Sequence, residues 1–353
     1  MKAQNQVCAK ENNRNLIIEL LLKKAPISRI ELSKITGLSK MTVTNIINEL
    51  SEDGIIAEVG AENSLLGRKP VALAIKPKSK LFAGLYISRN CIHAVTGDLC
   101  GNIYDERKEK TPASEEKLIE MIYSLLDEII SKKTLAIGIS AIGPLDLKRR
   151  ILLNPPNFSG IENVDIGKLL KDRYNLPVYM DKDMNAAAMA ESLFGKAKAV
   201  SDFIYVGVSN GIGSAIVSES KLCRGESGFG GELGHTSVDI NGKKCSCGNI
   251  GCLEMYASIN KDGKNDIEKI CRYLSVGLVT LINLFDPSVI YLGHDIADYG
   301  DEAAALLESE ISSRYISRKS KSIHVEISKF GRRAPIIGSI AAAVYGHIGG
   351  FQI

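Results

Sequence analysis

No stretch of this sequence approaches the ~18 consecutive apolar residues that would cross a bilayer. Its opening, MKAQNQVCAKENNRN, lacks the charged-then-apolar order of a secretory leader. A soluble, cytoplasmic protein without a membrane partner is the expectation. A large charge excess is missing too. With 44 Lys+Arg against 41 Asp+Glu the formal net charge is +3, too little to make the whole surface a polyanion binder, so any nucleic-acid contact has to come from a local patch. There is no disulfide framework: Cys8, Cys91, Cys100, Cys223 and Cys271 stand singly and only Cys245, Cys247 and Cys252 cluster, which fits reduced thiols with one metal knot. Low-complexity tracts are absent as well. What remains is a chain of 353 residues, 45% hydrophobic, long enough for two or three cores.

The first 76 residues carry a helix-turn-helix pattern. Leu16, Ile17, Leu20 and Leu21 recur at helical spacing until Pro26 ends the first helix. In ISRIELSKITGLSKMTVTNIINELSEDGII the small Ser33 sits where two helices touch, Gly37 can take a positive φ in the turn, and Leu32, Leu38, Val43 and Ile46 face inward. Ser39 is placed to cap the second of these helices. That helix turns Lys40, Met41, Thr42, Thr44, Asn45 and Asn48 outward, short polar groups with one cation that suit base edges and phosphates. IIAEVG and PVALAI then flank a polar loop ending in Gly67-Arg68-Lys69-Pro70. A hairpin with a basic tip behind a helix-turn-helix is a winged helix, with Arg68 or Lys69 reaching a minor groove or phosphates. Without that context the same residues read as an ordinary helix pair with a solvated face.

Residues 76–79, KPKS, form a short linker. Beyond it strands and helices alternate: FAGLYIS, CIHAVTG and GNIYDERKEK as antiparallel strands, a helix near 114–131, the strand TLAIGIS, and later FIYVGVS and GIGSAIVS. Residues 82–95 and 203–217 repeat one strand-loop-strand unit, which suggests two similar lobes facing a cleft. Helices near 266–285 and 302–312 and a closing helix opened by Pro335 complete the α/β alternation.

Two stretches carry chemistry. In GELGHTSVDINGKKCSCGNIGCLE, His235, Cys245, Cys247 and Cys252 have the spacing H-x9-C-x-C-x4-C. Three thiolates and an imidazole fill a tetrahedral zinc ion, leaving it structural. Glu232 and Glu254 bracket the knot as weak competitors for the metal, and each reads either as a solvated surface residue or as an acceptor for hydroxyls. The second stretch, DKDMNAAAMAESLFG, puts Asp181 and Asp183 at the end of the strand LPVYM before a small-residue helix, where α/β proteins place binding groups.

Together these motifs resemble the ROK family, named for repressors, open reading frames and sugar kinases. The resemblance rests on Glu232-x-Gly234-His235, on Cys245-x-Cys247-Gly248-x-x-Gly251-Cys252-x-Glu254, on Asp183-x-Asn185-Ala186-Ala187-Ala188, on Asn154-Pro155-Pro156-Asn157 and on Gly67-Arg68-Lys69-Pro70. It implies an actin-like ATPase (ribonuclease H-like) two-lobed α/β domain over 80–353, behind a winged helix-turn-helix DNA-binding domain over 1–76. Lobe one would span about 80–183 plus the C-terminal helix, and lobe two about 184–335. The winged helix places the chain with the family's repressors, similar to its xylose and N-acetylglucosamine regulators. The resemblance also implies that Asn157, Asp183, Glu232, His235 and Glu254 contact a sugar, Asp183 standing where the kinases have their catalytic base.

Kinase activity is not expected. The family's first phosphate loop, Asp-x-Gly-Gly-Thr, is here Tyr86-Ile87-Ser88-Arg89-Asn90, in which Arg89 would crowd the phosphates. Gly211 and Gly213 survive in the second loop, and a later Gly-Gly pair is Gly293-His294. Lys182 replaces the family's usual Asn, free either to pair with Asp183 or to favour a sugar phosphate. The turn INKDGKN is shorter than the family's helical segment there. The expectation is therefore a non-enzymatic, sugar-responsive repressor with one structural Zn²⁺. It would bind double-stranded operator DNA through Ser39, Lys40, Thr42, Thr44, Asn45 and Arg68, take a sugar or sugar-phosphate effector, and act as a homodimer or dimer of dimers. A DNA-binding sugar kinase and a ligand-blind DNA-binding protein are the alternatives.

Overall fold

The computed structural model describes residues 6–60, 71–154, 158, 160–260 and 265–349. The basic tip with Arg68, and Asn157, lie outside them. In the N-terminal unit α1 (Gln6–Lys24) leads through β1 (Ile27–Ser28) into α2 (Arg29–Thr36) and α3 (Lys40–Glu52), followed by β2 (Ile56–Val59) and β3 (Ala72–Ile75). Ser28 and Glu31 cap α2 reciprocally, and Gly37 at φ 71° ends it with its N–H on the Ser33 carbonyl, the left-handed position that glycine takes without a Cβ clash. The Ser33 hydroxyl donates to the Leu38 carbonyl at 2.7 Å and ties the turn between the helices. Ile17, Leu21, Leu32, Val43, Ile47, Leu50 and Leu73 are buried to within 1%. The sheet has three strands, ordered β1-β3-β2, where the sequence suggested a hairpin alone. A two-residue strand has no periodicity to read; Ile27 opposite Leu73 becomes a strand only when β3 arrives.

Next come β4 (Leu81–Ile87), β5 (Cys91–Asp98), β6 (Ile103–Lys110), α4 (Glu115–Ile129), β7 (Thr134–Ala141), the short β8 (Leu145–Asp146) and β9 (Ile151–Leu152), α5 (Ile166–Tyr174), β10 (Val178–Lys182) and α6 (Asp183–Phe194). The rest comprises β11 (Phe203–Val208), β12 (Ile212–Ser218), β13 (Lys221–Leu222), α7 (Glu254–Ala257), α8 (Ile267–Phe285), β14 (Val289–His294), α9 (Gly300–Ser312), β15 (His324–Ile327) and α10 (Ala334–His347). Two five-stranded sheets result, β6-β5-β4-β7-β10 and β13-β12-β11-β14-β15. Each has three antiparallel strands followed by two parallel ones, so the order is the same in both. The repeat read from the sequence is therefore the paired hairpins β4–β5 and β11–β12.

The closing helices pack crosswise. The C-terminal α10 lies on β4, β7 and β10 of the first sheet, α6 lies on β11 and β12 of the second, and the two helices pack against each other. Small residues make this possible: a Cβ on Gly138 would stand 1.9 Å from the Ser339 carbonyl oxygen, and one on Gly338 2.4 Å from the Ala186 backbone. The apolar core runs without a break from Ile17 and Leu21 of α1, through Ala186–Ala190 of α6, to Ile336–Val344 of α10. The N-terminal unit thus shares one core with the facing sides of the two sheets, whose other sides carry cores of their own.

Candidate functional site

A cleft of about 830 Å³ opens between the sheets, lined from one side by the β4–β5 turn and the end of β10, and from the other by the β11–β12 turn and the loop after β13. Asp183, Glu232, His235 and Glu254 all line it. Asp183 comes from the end of the parallel strand β10, where open α/β sheets place ligand-binding groups, and Glu232, His235 and Glu254 come from the long connection between β13 and α7.

Asp183 opens α6, and its Oδ1 accepts from the Met184 N–H at 2.9 Å. Burial raises its carboxyl to about 6 against the pull of that bond and of Lys182. Lys182 does not pair with Asp183, nor is it left free. Its Nζ reaches Glu232 Oε1 at 2.8 Å and the Gly230 carbonyl, because Asp183 has turned back onto its own helix. Beside it Arg224 meets Asp181 at 2.8 Å. A buried Lys182 and a partly buried Arg224 thus tie β10 to the 224–232 loop across the cleft, and neither pairing was visible in the sequence. The loop's glycines allow it: Gly231, at φ 84°, would put a Cβ 2.2 Å from the Ser214 carbonyl oxygen. Phe229, 48% exposed, lines the cleft from this loop; an aromatic within the glycine-rich GESGFGG was the signal for it.

One ligand atom each from His235, Cys245, Cys247 and Cys252 lies within 4.8 Å of the others, with Cys245 Sγ 3.8 Å from His235 Nδ1 and Cys247 Sγ 3.6 Å from Cys252 Sγ. Tetrahedral zinc with bonds of ~2.3 Å has ligand–ligand edges of about 3.8 Å, so the donor set and its spacing fit the ion. The tight turn rests on Gly251, whose Cβ would overlap the Asp239 carbonyl oxygen. Cys247 is held down to about 7, chiefly by the Asn249 N–H, whereas burial pushes Cys252 up to about 12; a bound cation favours both thiolates. Glu254 is less independent of the knot than its weak metal affinity suggested. Its Oε1 sits 3.2 Å from Cys245 Sγ and 3.5 Å from His235 Nδ1.

The cleft is also lined by the two hairpin turns, the second of which reaches the knot, since a Cβ on Gly211 would stand 3.7 Å from Glu254 Oε2. In the first, Ser88 closes on Cys91 and Arg89 stands at the tip; in the second, the Ser209 N–H bonds the Gly211 carbonyl at 2.9 Å. His294 ends β14 at φ 65°, ψ −144°, a glycine-type conformation costing about 1–3 kcal/mol for another residue.

On the N-terminal unit, Ser39 caps α3 by accepting from the Thr42 N–H at 3.1 Å, and Thr44 donates its hydroxyl to the Lys40 carbonyl. These two hydroxyls serve the helix. Lys40, Met41, Asn45 and Asn48 are exposed on one face, with Thr42 and Thr44 partly so.

Comparison with known proteins accords with this geometry. The ROK family model matches residues 83–261 and a winged helix-turn-helix DNA-binding model matches 11–57. The chain is 33% identical to the xylose repressor of Bacillus subtilis (strain 168), the match covering 96% of each. A crystal structure of a ROK family transcriptional regulator, a homologue of the E. coli MLC protein, superposes with a TM-score of 0.78 at 25% identity over 96% of this chain and 98% of that one. A ROK family glucokinase from Streptomyces griseus, in complex with glucose and AMPPNP, gives 0.66 at 26% identity over 74% of this chain and 98% of its own. From its winged helix to its last helix, this chain belongs to the ROK family.

Proposed function

We propose that the protein is a sugar-responsive, DNA-binding transcriptional repressor that does not transfer phosphate. The observation that carries this reading is the continuous core. Asp183 in the cleft is the first residue of α6, and α6 packs at its far end against α1 of the DNA-binding unit. Lys198, just beyond α6, donates to the Leu22 carbonyl at 3.1 Å, one of the last-turn carbonyls of α1 that lack a helical partner. A ligand that binds more tightly to one placement of α6 therefore shifts the DNA-competent population.

In this reading residues 1–76 bind an operator and residues 80–353 a sugar. Asp183, Glu232 and Glu254 accept from the sugar's hydroxyls, as does Asn157 by its place in the family motif. Lys182 supplies the donors that carboxylates lack, and Phe229 faces the apolar side of the ring. His235, Cys245, Cys247 and Cys252 would hold Zn²⁺, which fixes the turn carrying Glu254. With Nδ1 toward the metal, His235 keeps Nε2 for a hydroxyl. Lys40, Asn45 and Arg68 meet phosphates and base edges, while Ser39, Thr42 and Thr44 set the start of α3. A homodimer or dimer of dimers matches paired half-sites. Against phosphoryl transfer stand Arg89 and His294, at positions where a kinase presents glycine backbone to ATP.

Fluorescence anisotropy with the promoter duplex upstream of the protein's own gene, titrated with pentoses and hexoses, tests the reading. At least one sugar should change the operator dissociation constant fivefold or more, the lower range of allosteric coupling. Tight operator binding indifferent to every sugar points to the ligand-blind alternative. Turnover with ATP and Mg²⁺ would establish the kinase.

A further inference from the structure

Among the described residues, six buried side-chain polar atoms have no hydrogen-bond partner, and three of them, Arg89 Nε, His294 Nε2 and Asp295 Oδ2, belong to residues lining the one cleft. Native interiors leave few such atoms unpaired, and several beside one cavity point to a ligand. None of the three belongs to the His/Cys knot. Arg89 is at the tip of the β4–β5 turn on one wall; His294 and Asp295 follow one another at the end of β14 on the other.

Apart from the exposed Lys108, the other cations lining the cleft are already engaged. Arg332 holds Asp295 Oδ1 at 3.1 Å and also meets Asp298, and Arg333 holds Glu106 at 2.7 Å, with His93 on the same carboxylate. Lys182 pairs with Glu232 and serves the sugar reading above. Arg89 forms none of these ion pairs, and its charge acts on the Asp183 carboxyl. His294 is 8% exposed, with Nδ1 3.4 Å from the Tyr205 hydroxyl. In the tautomer where Tyr205 donates to Nδ1, Nε2 carries the proton and is a donor.

We propose that this part of the cleft binds the phosphate of a phosphomonoester: Arg89 and His294 Nε2 donate to the oxyanion, and Asp295 Oδ2 accepts from a hydroxyl that the ligand carries. A planar guanidinium suits phosphate oxygens. The substitutions that fill the triphosphate cradle thus equip it for a single phosphate. Two sources share this chemistry, free orthophosphate and a phosphorylated aldose whose sugar reaches Asp183. The site does not depend on which neutral sugar the cleft accepts.

Isothermal titration calorimetry of the full chain with orthophosphate, with a hexose 6-phosphate and with D-xylose tests it, using wild type, Arg89→Met and His294→Gly. Glycine suits the backbone at 294, so that variant should melt no lower than wild type while losing the imidazole. At least one phosphate compound should bind wild type and lose tenfold or more in affinity in both variants, with D-xylose binding changed less than twofold. Binding of both phosphates identifies orthophosphate as sufficient; binding of the hexose phosphate alone identifies the phosphorylated aldose. No phosphate binding to wild type overturns the proposal, and so does binding unchanged in both variants, which marks an adventitious ion only. A phosphate response in a protein whose operator binding ignores sugars sinks the sugar reading and leaves this site standing.

Discussion

The two five-stranded sheets are one design used twice, with the same strand order and the same leading hairpin, yet they bring different chemistry to the cleft. The first sheet contributes Arg89 from its hairpin turn, Lys182 from the end of β10 and Asp183 just after it. The second keeps an open turn at Gly211 and Gly213, strains its β14 end at His294, and inserts the whole His/Cys knot between β13 and α7. The strands fix where groups converge, and the connections decide what converges there.

The largest test of this contrast is to remove the insertion. Cys252→Ser leaves three metal ligands, so elemental analysis should find no stoichiometric zinc, and the response of operator binding to sugar should vanish; retention of both would break the link between knot and cleft. Next is the first sheet's carboxylate. Asp183→Asn should weaken sugar binding tenfold or more while operator affinity without sugar stays the same. Because the folded pKa of Asp183 is raised to about 6, wild-type sugar affinity should fall as the pH drops through 6. The raised value also means that the ionised group disfavours the fold increasingly from the ordinary carboxylate pKa up to about 6. The Asn variant should therefore gain stability relative to wild type at pH 7 and lose that gain below pH ~4.

A subtler effect is expected where the lobes meet the DNA-binding unit. Lys198→Met removes the contact to Leu22, and each ligand alone should bind nearly as before while the ratio of operator affinities with and without sugar moves toward one. A ratio equal to that of wild type would assign the coupling elsewhere. Smallest is Lys40→Ala on the exposed start of α3: roughly a few-fold weaker operator binding, with the salt slope reduced by about one phosphate contact.

Much of this was readable in the chain. Helix-period apolar residues, Gly37 and the Ser39 cap mark the helix-turn-helix through local rules that act within a few residues, and the cysteine spacing marks the knot because four ligands to one ion constrain sequence separation directly. The pairing of Lys182 was not readable. Its neighbour Asp183 is one residue away, whereas Glu232 is fifty positions on and becomes its partner only when the 224–232 loop folds across β10. The strand β1 escaped for the same reason, since its partner β3 lies beyond α2, α3 and β2.

By itself the sequence determined the kinds of element, the repeated strand-loop-strand unit, the His/Cys cluster and the exposed polar start of α3, since each follows from periodicity, spacing or backbone preference within a short window. Only the tertiary structure decided which carboxylate each buried cation meets, which polar atoms are left unpaired in the cleft, and that α6 joins Asp183 to α1. Those outcomes depend on the crosswise packing of α6 and α10, where buried charges take whatever partner the packing places within reach.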